Sequence, residues 1–152
     1  MSFTRACSLK AVANQIIQPN TWTIVHFEGV IAESSDDYGM HNSDALGDQS
    51  GLIVAGGGSG WGLLAGMAQW SFPSDATETR LGFVRDPFAT FGDSSDDYDT
   101  TATNHYARTP GGDYVSLTWP MWFLEGRPHA LRVRHDASTE IALAVAEFKL
   151  LF

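Results

Sequence analysis

Five histidines, one cysteine and two aspartate-rich stretches are the residues of this 152-residue chain whose types could do chemistry. His26, His41, His105, His129 and His135 are scattered, with neither His-x-x-x-His nor Cys-x-x-Cys spacing, so no transition-metal centre is expected. His135 reads instead as a strand-end residue packed near the core. Cys7 is the only cysteine; it cannot form an intrachain disulfide and reads as a small half-buried filler. Asp36-Asp37 and the group Asp93, Asp96, Asp97 and Asp99 are oxygen-rich and would suit calcium, which takes 6–8 oxygen ligands. Neither stretch has EF-hand spacing and both are serine-rich, so solvated charged loops are the favoured reading and calcium the alternative.

Three further motifs invite a chemical reading. Gly56-Gly-Gly-Ser-Gly-Trp-Gly62 has the glycines of a phosphate loop but not the closing Gly-Lys-Ser/Thr, and no helix pattern follows it. It reads as a turn entering a strand. Gly92-Asp93-Ser94 resembles a hydrolase nucleophile but lacks the strand-turn-helix setting that would expose the serine. The cluster Trp119-Pro-Met-Trp-Phe123 could be a carbohydrate platform, though such clusters are more often core or subunit interface. No catalytic residue and no cofactor are assigned, and an enzyme is not expected.

Any such group must be carried by β-structure. Residues 61–72 hold no formal charge, and neither their odd set (Trp61, Leu63, Ala65, Met67) nor their even set (Gly62, Leu64, Gly66, Ala68, Trp70) is plainly polar. A strand puts the two sets on opposite faces, so both faces of this one should be covered. One cover is the core; the other is expected to be a second copy of the chain. Further strands are predicted at Arg5–Val12, Thr21–Phe27, Thr79–Arg85, Thr101–Ala107, Tyr114–Phe123, Ala130–His135 and Ile141–Leu151, separated by turn signals. Residues 33–51 read as a long polar loop with one short strand near Tyr38–His41, and 86–99 as a second acidic loop. So many short strands at this spacing indicate one all-β domain over 1–152, a sandwich or barrel.

Composition narrows the partners. A formal charge of −9 opposes binding to nucleic acid and to anionic membrane surfaces. The first residues have no continuous apolar segment of the kind that leads export, and no apolar run reaches the ~18 residues that would span a bilayer.

Three places resemble the globular-head domain of complement component one-q and the tumour-necrosis-factor superfamily, in its free-standing bacterial or phage type. They are Asn20-Thr-Trp-Thr-Ile-Val-His-Phe27, the stretch Leu52 through Trp61 with its apolar strand, and Leu124-Glu-Gly126 followed by Ala130–Asp136 and Phe148-Lys-Leu-Leu151. Gly62 stands where the family usually has an aromatic residue, and Arg127-Pro128 where an Asp usually follows the glycine. The resemblance implies a ten-strand jelly-roll sandwich that assembles as a homotrimer. Its inner sheet would hold Arg5–Val12, Trp61–Phe72, Tyr114–Phe123 and Ile141–Leu151. Candidate trimer-interface residues are then Trp61, Leu63, Trp119, Trp122, Ala142, Ala144, Ala146 and Phe148.

The expected function is that of a non-enzymatic structural protein of a virus particle, a bacteriophage above all. It would be a trimeric decoration, cementing or tail-associated protein that contacts other virion proteins. It would be assembled in the host cytoplasm without a signal peptide and located in the virion. Phe3 and Phe152 are the candidate particle-attachment residues. The alternative is a receptor- or carbohydrate-binding module of the same fold, which exposed Trp or Tyr gathered at one end of the sandwich would favour.

Overall fold

The structure is a computed structural model that describes residues 3–11, 15–28, 33–71, 75–92, 101–105 and 114–152, with backbone only for 33–34, 101–105 and 114. Within these residues the strands are β1 (Ala6–Ala11), β2 (Gln15–Ile17), β3 (Thr23–Ile24), β4 (Glu33–Asp36), β5 (Leu52–Val54), β6 (Gly60–Trp70), β7 (Thr79–Arg85), β8 (Thr101–His105), β9 (Tyr114–Phe123), β10 (Pro128–His135) and β11 (Ile141–Leu151). They form two antiparallel sheets, in the orders β4-β1-β11-β6-β9 and β3-β10-β7-β8, with β2 also on β11 and β5 also on β10. β1 and β2 run in succession along β11, so the eleven segments account for the ten strands of a jelly roll. The chain crosses between the sheets at nearly every connection; β7 and β8 are the one consecutive pair that are neighbours. The four long strands expected in the inner sheet all lie in the first sheet.

Strand alternation explains the core. On β6 the even residues Leu64, Ala68 and Trp70 are buried between the sheets, and on β10 the odd residues His129, Leu131, Val133 and His135 meet them. Phe148 stacks between Phe27 and Phe83, with ring centroids 6.3 and 5.9 Å away. Gly66 is where this aromatic layer touches β6: a methyl group there would lie 2.6 Å from Leu131 Cδ1 and 2.9 Å from Phe83 Cε1. His135 closes one end of the core, with its Nε2 donating to Ile17 O at 2.9 Å and its ring edge-on to Trp70.

The segment after β4 differs from expectation. The short strand is Glu33–Asp36, and Asp37–Gly39 forms a 3-10 turn rather than a strand over Tyr38–His41. The reason is hydrogen bonding of the backbone beyond the turn to the Asp36 side chain. Asp36 accepts hydrogen bonds from the backbone of Met40 (2.6 Å) and His41 (3.2 Å), and a carboxylate that folds the chain back onto itself ends the extended run. The acidic residues 93–99 and the last two residues of the strand expected over Thr101–Ala107 lie outside the described residues.

Candidate functional site

Residues that point away from the core on the six-stranded sheet form cross-strand rows, because paired residues share a face. One row is Trp61 with Trp122; the next runs Ala6, Leu151, Leu63, Pro120. The following rows are Ser8, Lys149, Ala65, Thr118 and then Lys10, Glu147, Met67, Ser116. The face is thus apolar and aromatic at one end and small or polar across its middle, where Lys149 and Glu147 pair at 3.3 Å. Trp61 is 63% exposed and Trp122 47%, though their rings meet edge to face.

Of the eight interface candidates, Trp61, Leu63, Trp122 and Ala142 lie on or beside this outer face. Ala144 falls at an irregularity, because the pairing of β11 with β6 shifts register between Leu143 and Val145. That shift reverses the facing of everything after it. Ala146 and Phe148, expected on the assembly face, are 1% and 0% exposed and belong to the core. Trp119 is opposite the core residue Leu64, so it leaves β9 on the other side of the sheet from Trp122 while staying 45% exposed.

The two attachment candidates also part company. Phe3 is 41% exposed, but Phe152 is 5% exposed and built into the fold. The Arg5 guanidinium sits 4.2 Å over the Phe152 ring, Phe123 packs at 5.4 Å, and the backbones of Arg5 and Phe152 exchange hydrogen bonds of 2.8 and 3.0 Å. Gly62 makes room for this: a Cβ there would collide with Leu151 O and Phe152 Cβ and lie 2.8 Å from Phe123 Cε2. The position left without an aromatic side chain is filled by Phe152.

Around that corner several of the exposed large apolar residues gather. Phe3, Tyr38, Trp61, Phe91, Trp122 and Leu124 lie at the end of the sandwich where residues 3–5 meet Phe152, while Ile16 lies towards the other end. The loops there are tied together. Arg5 Nη1 donates to Gly57 O (2.6 Å), Gly58 N donates to Glu125 Oε1 (3.1 Å), and Glu125 N donates to Ser59 Oγ (2.9 Å). Gly57 and Gly58 have φ of 79° and 113°, which residues with a Cβ rarely adopt. Tyr38, at φ 68°, is held against Gly57, whose missing side chain would lie 3.1 Å from the Tyr38 ring.

Three titratable side chains among the described residues are shifted by their surroundings. Burial first, then the neighbouring Arg85 and Arg127 guanidinium groups, push His129 down to about 3. Asp86 and Asp136 are each raised by burial but held below the usual carboxylate value by hydrogen bonds they accept, from Thr90 and Phe91 and from Thr77 and Glu78. Among the described residues no three His, Cys, Asp or Glu side chains are grouped to hold a metal ion, and no helix is long and apolar enough to cross a membrane. Asp36 and Asp37 spend oxygens on backbone N–H groups of Met40, His41 and Ala6.

No protein-family model matches the chain, and no curated protein matches it. Among solved structures, the globular domain of zebrafish complement 1qA protein is similar, with a TM-score of 0.49 and 11% identity over 96% of this chain and 95% of that one.

Proposed function

We propose that the chain is a non-enzymatic binding module that works as a homotrimer without a cofactor. The outer face of the six-stranded sheet would be buried between copies. The observation that carries this reading is the row of Trp61 and Trp122 beside Leu63, Pro120 and Leu151 on a face that no other element covers among the described residues. Contiguous exposed patches of this kind commonly mark protein contacts. Trimeric order, rather than dimeric, is what the sequence resemblance implies. The gathering of Tyr38, Phe91, Phe3 and Leu124 at the same end favours recognition as the task. A virus-particle setting, as a decoration or tail-associated protein, is the finer form of this reading and rests on the sequence. In that setting the aromatic end, with Phe3 but not Phe152, grips the partner.

Sedimentation velocity at micromolar concentration tests the reading. The expected species has three times the 16.5 kDa chain mass. A single-chain species would overturn it.

A further inference from the structure

The six-stranded sheet ends at β9, a ten-residue strand that among the described residues pairs with β6 alone. Thr118, Trp119 and Pro120 are all exposed. Consecutive strand residues point to opposite faces, so exposure of all three marks a stretch open on both sides of the sheet.

The direction in which each β9 residue turns its backbone follows from bonds made two strands away. Arg5 N donates to Phe152 O at 2.8 Å, and Phe152 N donates to Arg5 O at 3.0 Å. In an antiparallel ladder, pairs that exchange both hydrogen bonds alternate with pairs that exchange none. The next pair, Ala6 with Leu151, is then of the second kind, so Leu151 turns its N–H and C=O to Leu63 on β6. Leu63 has its backbone groups directed at β11 and offers none to its β9 partner, Pro120. The nitrogen and carbonyl of Pro120 therefore point away from the sheet, as do those of Ser116, Thr118 and Trp122 at the same alternation. Proline is tolerated in a sheet in this setting, at an edge with its missing N–H turned outward.

A strand edge is a template for another strand, and proteins blunt it with charge, bulges, proline or a cover. Elsewhere in this fold the chain occupies its own edges. Beside β3 the Gln15 side-chain amide stands in for a neighbouring strand, its Nε2 donating to Ile24 O and its Oε1 accepting from His26 N, both at 2.9 Å. Beside β5, Val54 N donates to Met40 O at 2.8 Å. Residues 114–123 hold no Asp, Glu, Lys or Arg and are rich in β-branched and aromatic side chains, a composition that pairs readily. We propose that Pro120 is the guard of this edge: it removes an outward N–H at mid-strand and so keeps β9 from pairing with the β9 of a second copy. A second copy is the partner guarded against, because a strand laid antiparallel on itself about a two-fold axis is self-complementary, and this one has no charges to repel its twin.

Pro120→Val tests this, since it restores the N–H, keeps the outer face apolar and suits a strand. In sedimentation velocity at equal micromolar concentration, the variant should reach about twice the wild-type mass or more. The size reached separates this inference from the trimeric reading. A trimer offers an edge on every copy and should grow past a pair of trimers, whereas a single chain should stop at a pair of chains. In Thr118→Pro with Pro120→Val, the proline moves to another outward-facing position, and the wild-type mass should return. Hydrogen exchange of the unmutated chain gives a reading that needs no variant: the outward amides of Thr118 and Trp122 should exchange fast, and the inward amides of Leu117, Trp119 and Met121 slowly. In Pro120→Val the outward pair should become protected as concentration rises. A Pro120→Val chain that sediments as the wild type overturns the proposal. So does a double variant that stays as large as Pro120→Val, or protection of the Thr118 and Trp122 amides in the unmutated chain.

Discussion

Trp61 and Trp122 are cross-strand partners whose rings meet with centroids 6.0 Å apart and planes at 81°, yet both remain about half exposed or more. Edge-to-face pairs of this kind contribute about 0.5–1.5 kcal/mol beyond area burial. Tryptophan is among the residues that most often dominate subunit contacts.

The double substitution Trp61→Ser with Trp122→Ser should therefore separate the copies and leave each folded. A buried Trp at an interface centre is commonly worth ~2 kcal/mol or more, so dissociation should strengthen by roughly 30-fold or more per residue. Sedimentation reads the assembly, and far-ultraviolet circular dichroism reads the fold. An unchanged mass with both substitutions in place would put the contact elsewhere.

Gly62→Ala and Gly66→Ala should both destabilise the monomer, by about 1–3 kcal/mol, as overpacking does. At Gly66 the added methyl meets Leu131 and Phe83; at Gly62 it meets Phe152 and the backbone oxygen of Leu151, which yields less easily. Gly62→Ala should thus have the lower melting temperature of the two.

Acid should weaken the fold in two stages. The folded value of His129 is about 3, below its ordinary 6.5, so the unfolded chain takes a proton that the folded chain refuses. Stability is then full above about pH 6.5 and falls by a few kcal/mol as pH drops towards 3. Asp86 and Asp136, held below 3.8, add a loss that begins only as their unfolded forms protonate, near pH 4. In His129→Phe the decline between pH 6.5 and 4.5 should disappear while the steeper one below pH 4 remains. Urea titrations across pH would show it.

Asp86→Ala should lower stability by about 2–3 kcal/mol, because three donors from Thr90 and Phe91 lose their acceptor. It should also loosen the turn that carries Phe88. Hydrogen exchange of the Thr90 and Phe91 amides would then speed up, and their protection intact would refute the coupling.

Much of the architecture was legible in the residues themselves. The uncharged alternation from Trp61 to Trp70 and the alternating strand ending at Arg85 appear as strands where the pattern places them, because side-chain alternation follows from backbone geometry alone, whereas the run expected as a strand over Thr21–Phe27 is strand only at Thr23–Ile24. Short strands such as Gln15–Ile17 and Leu52–Val54 were not legible, since two or three residues carry no periodicity and exist only because β11 and β10 offer them an edge. Facing on β11 was misread for a related reason. Alternation predicts a face only while register holds, and the shift between Leu143 and Val145 depends on how β6 pairs with it. The same holds for Phe152, whose burial follows from the hollow at Gly62 on a distant strand. Local pattern determines which residues are strands and how their side chains alternate; contacts between segments far apart in the chain decide which face is core, because they alone set the phase.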